Sequence, residues 1–311
     1  MVFEFAIEPE LVATWGEFNN YRYFYDKFGI GQSRIMAEYP KLQNWRRKIL
    51  KAGPKDGLEL ERLTAIISIL SETMIERNTK CYDGNIDWLK NAEIEDKNQP
   101  FYAILASSNS CQNPKVLDPA ILGVSNNSKW HISEQLPDVP RNASEINKAV
   151  QPLLTNCHKA IFIDPFFMAG PDILKWKRPF EMFMRTLSTS RYQPSEIQIE
   201  VHSSADIHKA PTEEYFETRC RRELANVIPC GLLVHFKRWR QKLGGKKLHD
   251  RYLLTDLGGV DFSIGLDQGE KGEVQKISLL KKNTYENVWE DYMSSHPAFD
   301  SLPGFTIPEN G

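Results

Sequence analysis

No stretch of this chain approaches the roughly 20 consecutive apolar residues that a bilayer-spanning helix needs, so no membrane-embedded role is expected. The opening residues, MVFEFAIEPELVATW, show no basic segment followed by an apolar one, and no secretory leader is expected. Cysteine is sparse. Cys81, Cys111, Cys157, Cys220 and Cys230 form an odd, widely spaced set with no CxxC pair. Such a set fits neither a disulfide framework nor a zinc site, and suits reduced thiols in a cytoplasm. No cofactor is implied. A strong net charge is also missing: 39 basic residues face 41 acidic ones, for a net charge of −2. Nothing global then attracts nucleic acid or an acidic membrane, and a site for a polyanion has to be a local patch. Internal repeats and low-complexity tracts are absent as well.

What is present is an ordinary globular composition. The chain has 311 residues, 41% hydrophobic and 26% charged, enough for a sizeable core and most simply two domains. The first part is helical in rhythm: Leu11, Trp15 and Phe18, then Leu42, Trp45 and Ile49, then Leu60, Leu63, Ile67, Leu70 and Met74 recur at helical spacing. These stripes read as core, with partner binding as the alternative. Phe101 to Ala106 (FYAILA) reads as a buried strand, and Ser107 to about Asn142 as loops around short strands. A boundary near residue 140 separates a mainly helical N-terminal domain, 1–140, from an α/β domain, 141–311.

In the second domain strands alternate with helices. ASEINKAVQPLLTNC is helical, HKAIFIDPFF a strand, RPFEMFMRTLSTS a helix, EIQIEVHSS a strand, TEEYFETRCRRELANVIP a helix and GLLVHFKRW a strand. The alternation argues for an α/β layered domain with a mixed sheet. Near its end two strands are separated only by Gly258-Gly259, which reads as an antiparallel hairpin.

The least ordinary stretch is LHDRYLLTDLGGVDFSIGLDQG, Leu248 to Gly269. On a strand, His249 and Arg251 share one face while Asp250, Tyr252 and Asp256 share the other. An imidazole beside a guanidinium suits the attack on, and grip of, a phosphate. Arginine presents a rigid fork of donors, and neutral imidazole is a nucleophile or base near pH 7. The plainer reading pairs Arg251 with Asp256 or Asp267 and lets His249 cap a turn.

Two features bear on that choice. KRWRQKLGGKK packs six basic residues into eleven immediately upstream. Lys237, Arg238, Arg240, Lys242, Lys246 and Lys247 are candidates to steer a phosphate backbone, with Trp239 to stack on a base. The alternative is a solvated hairpin loop. Arg219, Arg221 and Arg222 add charge on a helix, where they can be mere surface. Functional groups in α/β sheets also gather at the carboxyl ends of strands, where Asp164 and His202 are placed. Asp164 can equally well order the loop before Pro165.

The run His249-Asp250-Arg251-Tyr-Leu-Leu-Thr-Asp256 resembles the His-x-Lys-x4-Asp motif of the phospholipase D superfamily, with arginine in the lysine place. HDR followed by GxxFSIGLD, together with RNASEINKAVQPLL and IDPFF, is similar to prokaryotic phospholipase D-like proteins of defence-type loci, over about residues 140–285. HDR…GLD is also similar to the C-terminal domain of microtubule-interacting-and-trafficking proteins, which serves membrane binding and dimerisation. Residues 1–140 carry no such resemblance.

The superfamily resemblance implies a phospholipase D-like fold and metal-independent cleavage of phosphodiesters. His249 would be the nucleophile, Arg251 the phosphate clamp and Asp256 a supporting acid; Asp164 joins the catalytic candidates only through its place at a strand end. Because the chain has one copy of the motif, it also implies a homodimer with two facing His249 side chains. The resulting expectation is a nuclease effector of a prokaryotic defence system, acting on DNA rather than RNA, with the N-terminal domain available to a partner protein. Two alternatives remain: a non-catalytic module that holds phosphate-bearing ligands or a partner, and a metal-dependent nuclease built on Asp164, Glu200 and Asp267. Arginine for lysine, and Ser263-Ile264-Gly265-Leu266 in place of Gly-Ser-x-Asn, are departures from the motif.

Overall fold

The computed structural model describes residues 1–78, 82–109, 112–122, 128–208 and 210–308. Cys81 and Cys111 lie outside them, whereas Cys157, Cys220 and Cys230 are free thiols. None of the described helices is long and apolar enough to cross a membrane. The chain divides into two compact units, residues 2–133 and 134–311, with Met1 grouped with the second.

The first unit holds β1 (Phe3–Ile7), α1 (Pro9–Val12), α2 (Phe18–Phe24), β2 (Arg34–Ala37), α3 (Leu42–Ala52), α4 (Gly57–Glu72), β3 (Met74–Ile75), α5 (Trp88–Asn98), β4 (Ala103–Leu105) and β5 (Val116–Leu117). Helical residues predominate as expected, but they pack around a wholly parallel five-stranded sheet ordered β3-β2-β1-β4-β5. The parallel sheet is an addition to the mainly helical reading. A parallel sheet is covered on both faces, so its strands read as continuous apolar runs. In β1, Phe5 and Ile7 enter one core with Trp15, Trp45 and Leu63, while Ala6 enters another with Tyr39, Trp88 and Phe101. Of the helical stripes, Trp15, Trp45, Ile49, Leu63, Ile67 and Leu70 are buried, while Phe18 stays exposed.

The second unit begins earlier than residue 140, because β6 (Gln135–Pro140) pairs with its last long strand. It continues through α6 (Ala143–Leu154), β7 (Lys159–Ile163), α7 (Leu174–Ser188), β8 (Gln198–Ser204), α8 (Glu213–Leu224), β9 (Val234–Gln241), β10 (Tyr252–Thr255), β11 (Gly258–Phe262), β12 (Val274–Leu279), α9 (Lys282–Met293), β13 (Phe299–Ser301) and β14 (Phe305–Ile307). The mixed α/β architecture matches the sequence pattern. The sheet runs β13-β9-β8-β7-β10-β11-β12-β6, with β14 also on β9. β7, β8 and β9 are parallel, and the strands from β10 to β6 are antiparallel.

Helix starts follow their caps: the Asn142 side chain accepts from the Glu145 amide at α6, and Thr212 accepts from Tyr215 at α8. Helices α7 and α8 cover the sheet face carrying Phe162 and Arg238, through the Phe162–Phe183 stack and the Arg238–Phe216 contact. Helix α9 covers the opposite face, where Tyr292 meets His202 and Trp239. At Gly259 a Cβ would come within 2.8 Å of Leu280 and 3.0 Å of Tyr285, so glycine lets α9 approach the sheet. The β10–β11 hairpin forms as expected, but its two-residue turn is Asp256-Leu257. Gly258, with φ 139°, already opens β11.

Candidate active site

Strand β10 fixes where each half of the unusual motif lies. It runs antiparallel to β7, with Tyr252 opposite Ile163 and Thr255 opposite Ala160. Carrying that register one residue further places Arg251 opposite Asp164. Arg251 and Asp164 thus meet at the carboxyl edge of the parallel strands, on the face shared by Phe162 and Leu253. The ladder starts at Tyr252, so His249 precedes it in irregular chain rather than sitting on the strand.

His249 is open to solvent, its side chain 74% exposed, with Nδ1 3.5 Å from an Asp250 carboxylate oxygen. The other Asp250 oxygen accepts from the Tyr252 hydroxyl at 3.1 Å. Arg251 is half-buried, its guanidinium carbon 5.1 Å from the centre of the Phe166 ring. Among the described residues it forms no ion pair. The plainer pairing therefore fails on geometry. Asp267 is held by Arg141 at 2.7 Å, and Asp256 sits at the far end of β10.

Asp164 is 1% exposed and lies beneath this rim. Its carboxylate accepts from the Phe166 amide at 2.9 Å and the Leu266 amide at 3.1 Å. Burial pushes its pKa up to about 6, against the pull of those two amides and of Arg251. Both readings of Asp164 meet here: it orders the loop that follows it, and it underlies Arg251. A Cβ on Gly265 would lie 2.5 Å from an Asp267 oxygen and 3.4 Å from an Asp164 oxygen, so glycine lets the 263–267 segment close over the carboxylate. Arg141 pins that segment through Asp267 and Glu273.

Several expected members do not belong to this rim. Asp256 accepts from the His158 and Lys159 amides at 3.0 Å each, so it tethers the start of β7 instead of supporting catalysis. His202 is completely buried inside β8 on the α9 face, because the strand continues to Ser204. Its Nε2 lies 2.8 Å from Glu200, which also holds Lys237 at 2.7 Å. Burial pushes the His202 imidazole down. Although burial alone would raise the Glu200 carboxyl, hydrogen bonds from His202 and Lys237 hold it well below the usual range. Glu200 pairs with Ile161, whereas Asp164 follows Phe162 by two residues and shares its face, so Glu200 and Asp164 are on opposite faces of the sheet and the Asp164–Glu200–Asp267 metal set does not assemble.

The basic run is divided in the same way, because β9 extends to Gln241 and buries alternate residues. Arg238 is 2% exposed and bound to Glu213, Pro211 and Ser204. Trp239 is 3% exposed among His202, Tyr292 and Phe299, which removes it as a stacking platform. Lys246 pairs with Asp291, and Lys242 donates to the Pro297 carbonyl. Arg240 and Lys247 are exposed. Arg219 is buried, while Arg221 and Arg222 pair with Glu217 and Glu223. Phe166 and Arg141, which the sequence reading passed over, contribute more to the rim than most of the lysines.

No family model and no curated protein matches the chain. Among solved structures, one match is to TrmBL2, an archaeal chromatin protein described as showing a novel mode of DNA binding. The identity is 9%, the match covers 59% of each chain, and the TM-score is 0.26.

Proposed function

We propose that the second unit is a phosphodiester hydrolase of phospholipase D-like type, a metal-independent nuclease acting on DNA. One observation carries the reading: the Arg251 guanidinium, free of any ion pair among the described residues, stands at a strand edge two residues from a solvent-open imidazole. The guanidinium makes no ion pair among the described residues, although the charges of Asp164 and Asp261 interact with it, and its planar fork is left to match phosphate oxygens. Asp164 stabilises that cation from below without reaching the surface.

In the proposed reaction an imidazole nitrogen of His249 attacks phosphorus, the bond to the leaving oxygen breaks, and that oxygen takes up a proton. Water then gives a proton to the group that had protonated the leaving oxygen and attacks the phosphorus, the P–N bond breaks, and both groups are regenerated. Arg251 neutralises the equatorial oxygens in both steps. The second imidazole needed to protonate the leaving group would come from His249 of a second copy across a two-fold axis.

Incubating the protein with labelled DNA and RNA in EDTA tests this. Cleavage that is lost in His249→Ala is expected. No cleavage by wild type, or equal cleavage by the variant, overturns the reading. The non-catalytic alternative is favoured by the 3.5 Å His249–Asp250 contact and by arginine in the lysine place. It predicts phosphate-ligand binding that depends on Arg251, with no turnover.

A further inference from the structure

Phe166 is 39% exposed, whereas Phe167 beside it is 5% exposed and Met168 is fully buried. The turn that carries it is tightly built. Asp164 accepts from the Phe166 amide through its side chain and from the Phe167 amide through its carbonyl, and Ala169 donates back to the Phe166 carbonyl. The Pro165 carbonyl accepts from Ser204 on β8. Met168 adopts φ 59°, a left-handed conformation that non-glycine residues rarely take and that surrounding packing has to maintain. That packing is the Phe167 ring against Trp176, Phe180 and Phe236. The turn therefore holds a phenyl ring at the surface, with one face toward Arg251.

Resting on the phosphodiesterase reading, we infer that Phe166 is a base-stacking platform, and that the substrate is a single-stranded or locally unstacked nucleic acid whose base lies on Phe166 while its phosphate lies on Arg251. Arg251 covers one face of the Phe166 ring at 5.1 Å, so a base stacked on the ring would lie on its other face, beside a phosphate held by the guanidinium. Stacking on an aromatic ring tolerates any base, since every base has a π face, but requires the base to leave its duplex partner stack. A lipid phosphodiester offers no flat neutral ring to this platform. A choline headgroup would bring a second cation to a ring already facing Arg251, and a lone ring is not an aromatic cage. Phe166, unlike the buried Trp239, is a stacking residue that a ligand can reach.

The test is binding in a His249→Ala background, by fluorescence anisotropy, to a single-stranded DNA oligonucleotide and to an abasic oligomer of equal length and charge. The base-bearing strand is expected to bind about tenfold more tightly than the abasic one, and Phe166→Ala to abolish that ratio. Phe166→Trp is expected to preserve the preference, and circular dichroism checks that each variant is folded. Equal binding of the two oligomers, or equal losses for both in Phe166→Ala, overturns the base platform and leaves the nuclease reading standing. Equal binding of the two oligomers together with co-sedimentation of the protein on phosphatidylcholine vesicles, lost in Phe166→Ala, replaces the base with a lipid headgroup. Failure to bind either oligomer overturns the platform and the nucleic-acid reading together.

Discussion

The two ends of β10 belong to one eight-residue motif and carry opposite kinds of polar residue. At the Asp256 end, the carboxylate meets two backbone amides of the neighbouring strand and its hydrogen-bonding capacity is used internally. At the other end, Arg251 has an aromatic face beneath it and no ion pair among the described residues, and His249 projects into solvent. A satisfied polar group stabilises a fold, whereas an unsatisfied one beside open solvent is available to a ligand. The division also shows why motif spacing alone misassigns roles: four residues of β10 separate the two ends.

Breaking the reactive end should give the largest effect. Arg251→Ala is expected to reduce cleavage by about 10²–10³-fold, the range for removing a preorganised charge stabiliser, with Arg251→Lys retaining more activity. Steady-state kinetics with thermal melts checks this, and a large loss of stability with little loss of rate would make Arg251 structural.

Beneath the rim, Asp164 sharpens the comparison through pH. Its folded-state pKa of about 6 exceeds an unfolded carboxyl value of about 3.9, so the stability linked to it is full below about pH 4 and declines as pH rises through 6. Asp164→Asn cannot ionise and should not share that decline. Wild type should therefore lose on the order of 2–3 kcal/mol relative to the variant between pH 4 and pH 7. Denaturant titrations at the two pH values measure it, and a pH-independent difference would contradict it.

The structural end should respond more modestly. Asp256→Ala leaves two amides without their acceptor and is expected to cost about 1 kcal/mol of stability, with the rate per folded molecule unchanged. A fall in rate at intact stability would transfer Asp256 to the reactive end. Smallest of all, Lys247→Ala should leave stability within about 0.5 kcal/mol while lowering the salt slope of DNA binding by about one. An unchanged slope would remove Lys247 from the nucleic-acid path.

Much of the second unit was legible because its elements are long. The stripe Ile146, Val150 and Leu153 is buried in α6, and the alternation of strands and helices survives intact. The parallel sheet of the first unit was not legible. β3 and β5 are two residues each, and β1 and β2 lie within a stretch whose helical stripes dominate the pattern, so only the wholly apolar FYAILA reads as a strand, β4. The basic run misled because counting charges ignores strand alternation: β9 turns Arg238 toward α8 and Trp239 toward α9. At the site, the spacing of His249 and Arg251 implies one shared strand face, but the strand begins only at Tyr252 and leaves His249 in irregular chain. Phe166 and Arg141 were not legible, since their roles arise from contacts with residues 85 and 126 positions away, Arg251 and Asp267.

The central claim is that the solvent-open imidazole reacts with phosphorus. Acid-free quenching of the protein during turnover of single-stranded DNA in EDTA, followed by mass spectrometry of the peptide containing Leu248–Tyr252, tests it most directly. A phosphoryl-linked adduct on His249 that is absent from His249→Ala is the predicted result. Turnover with no adduct on that peptide, or an adduct on another residue, would contradict it.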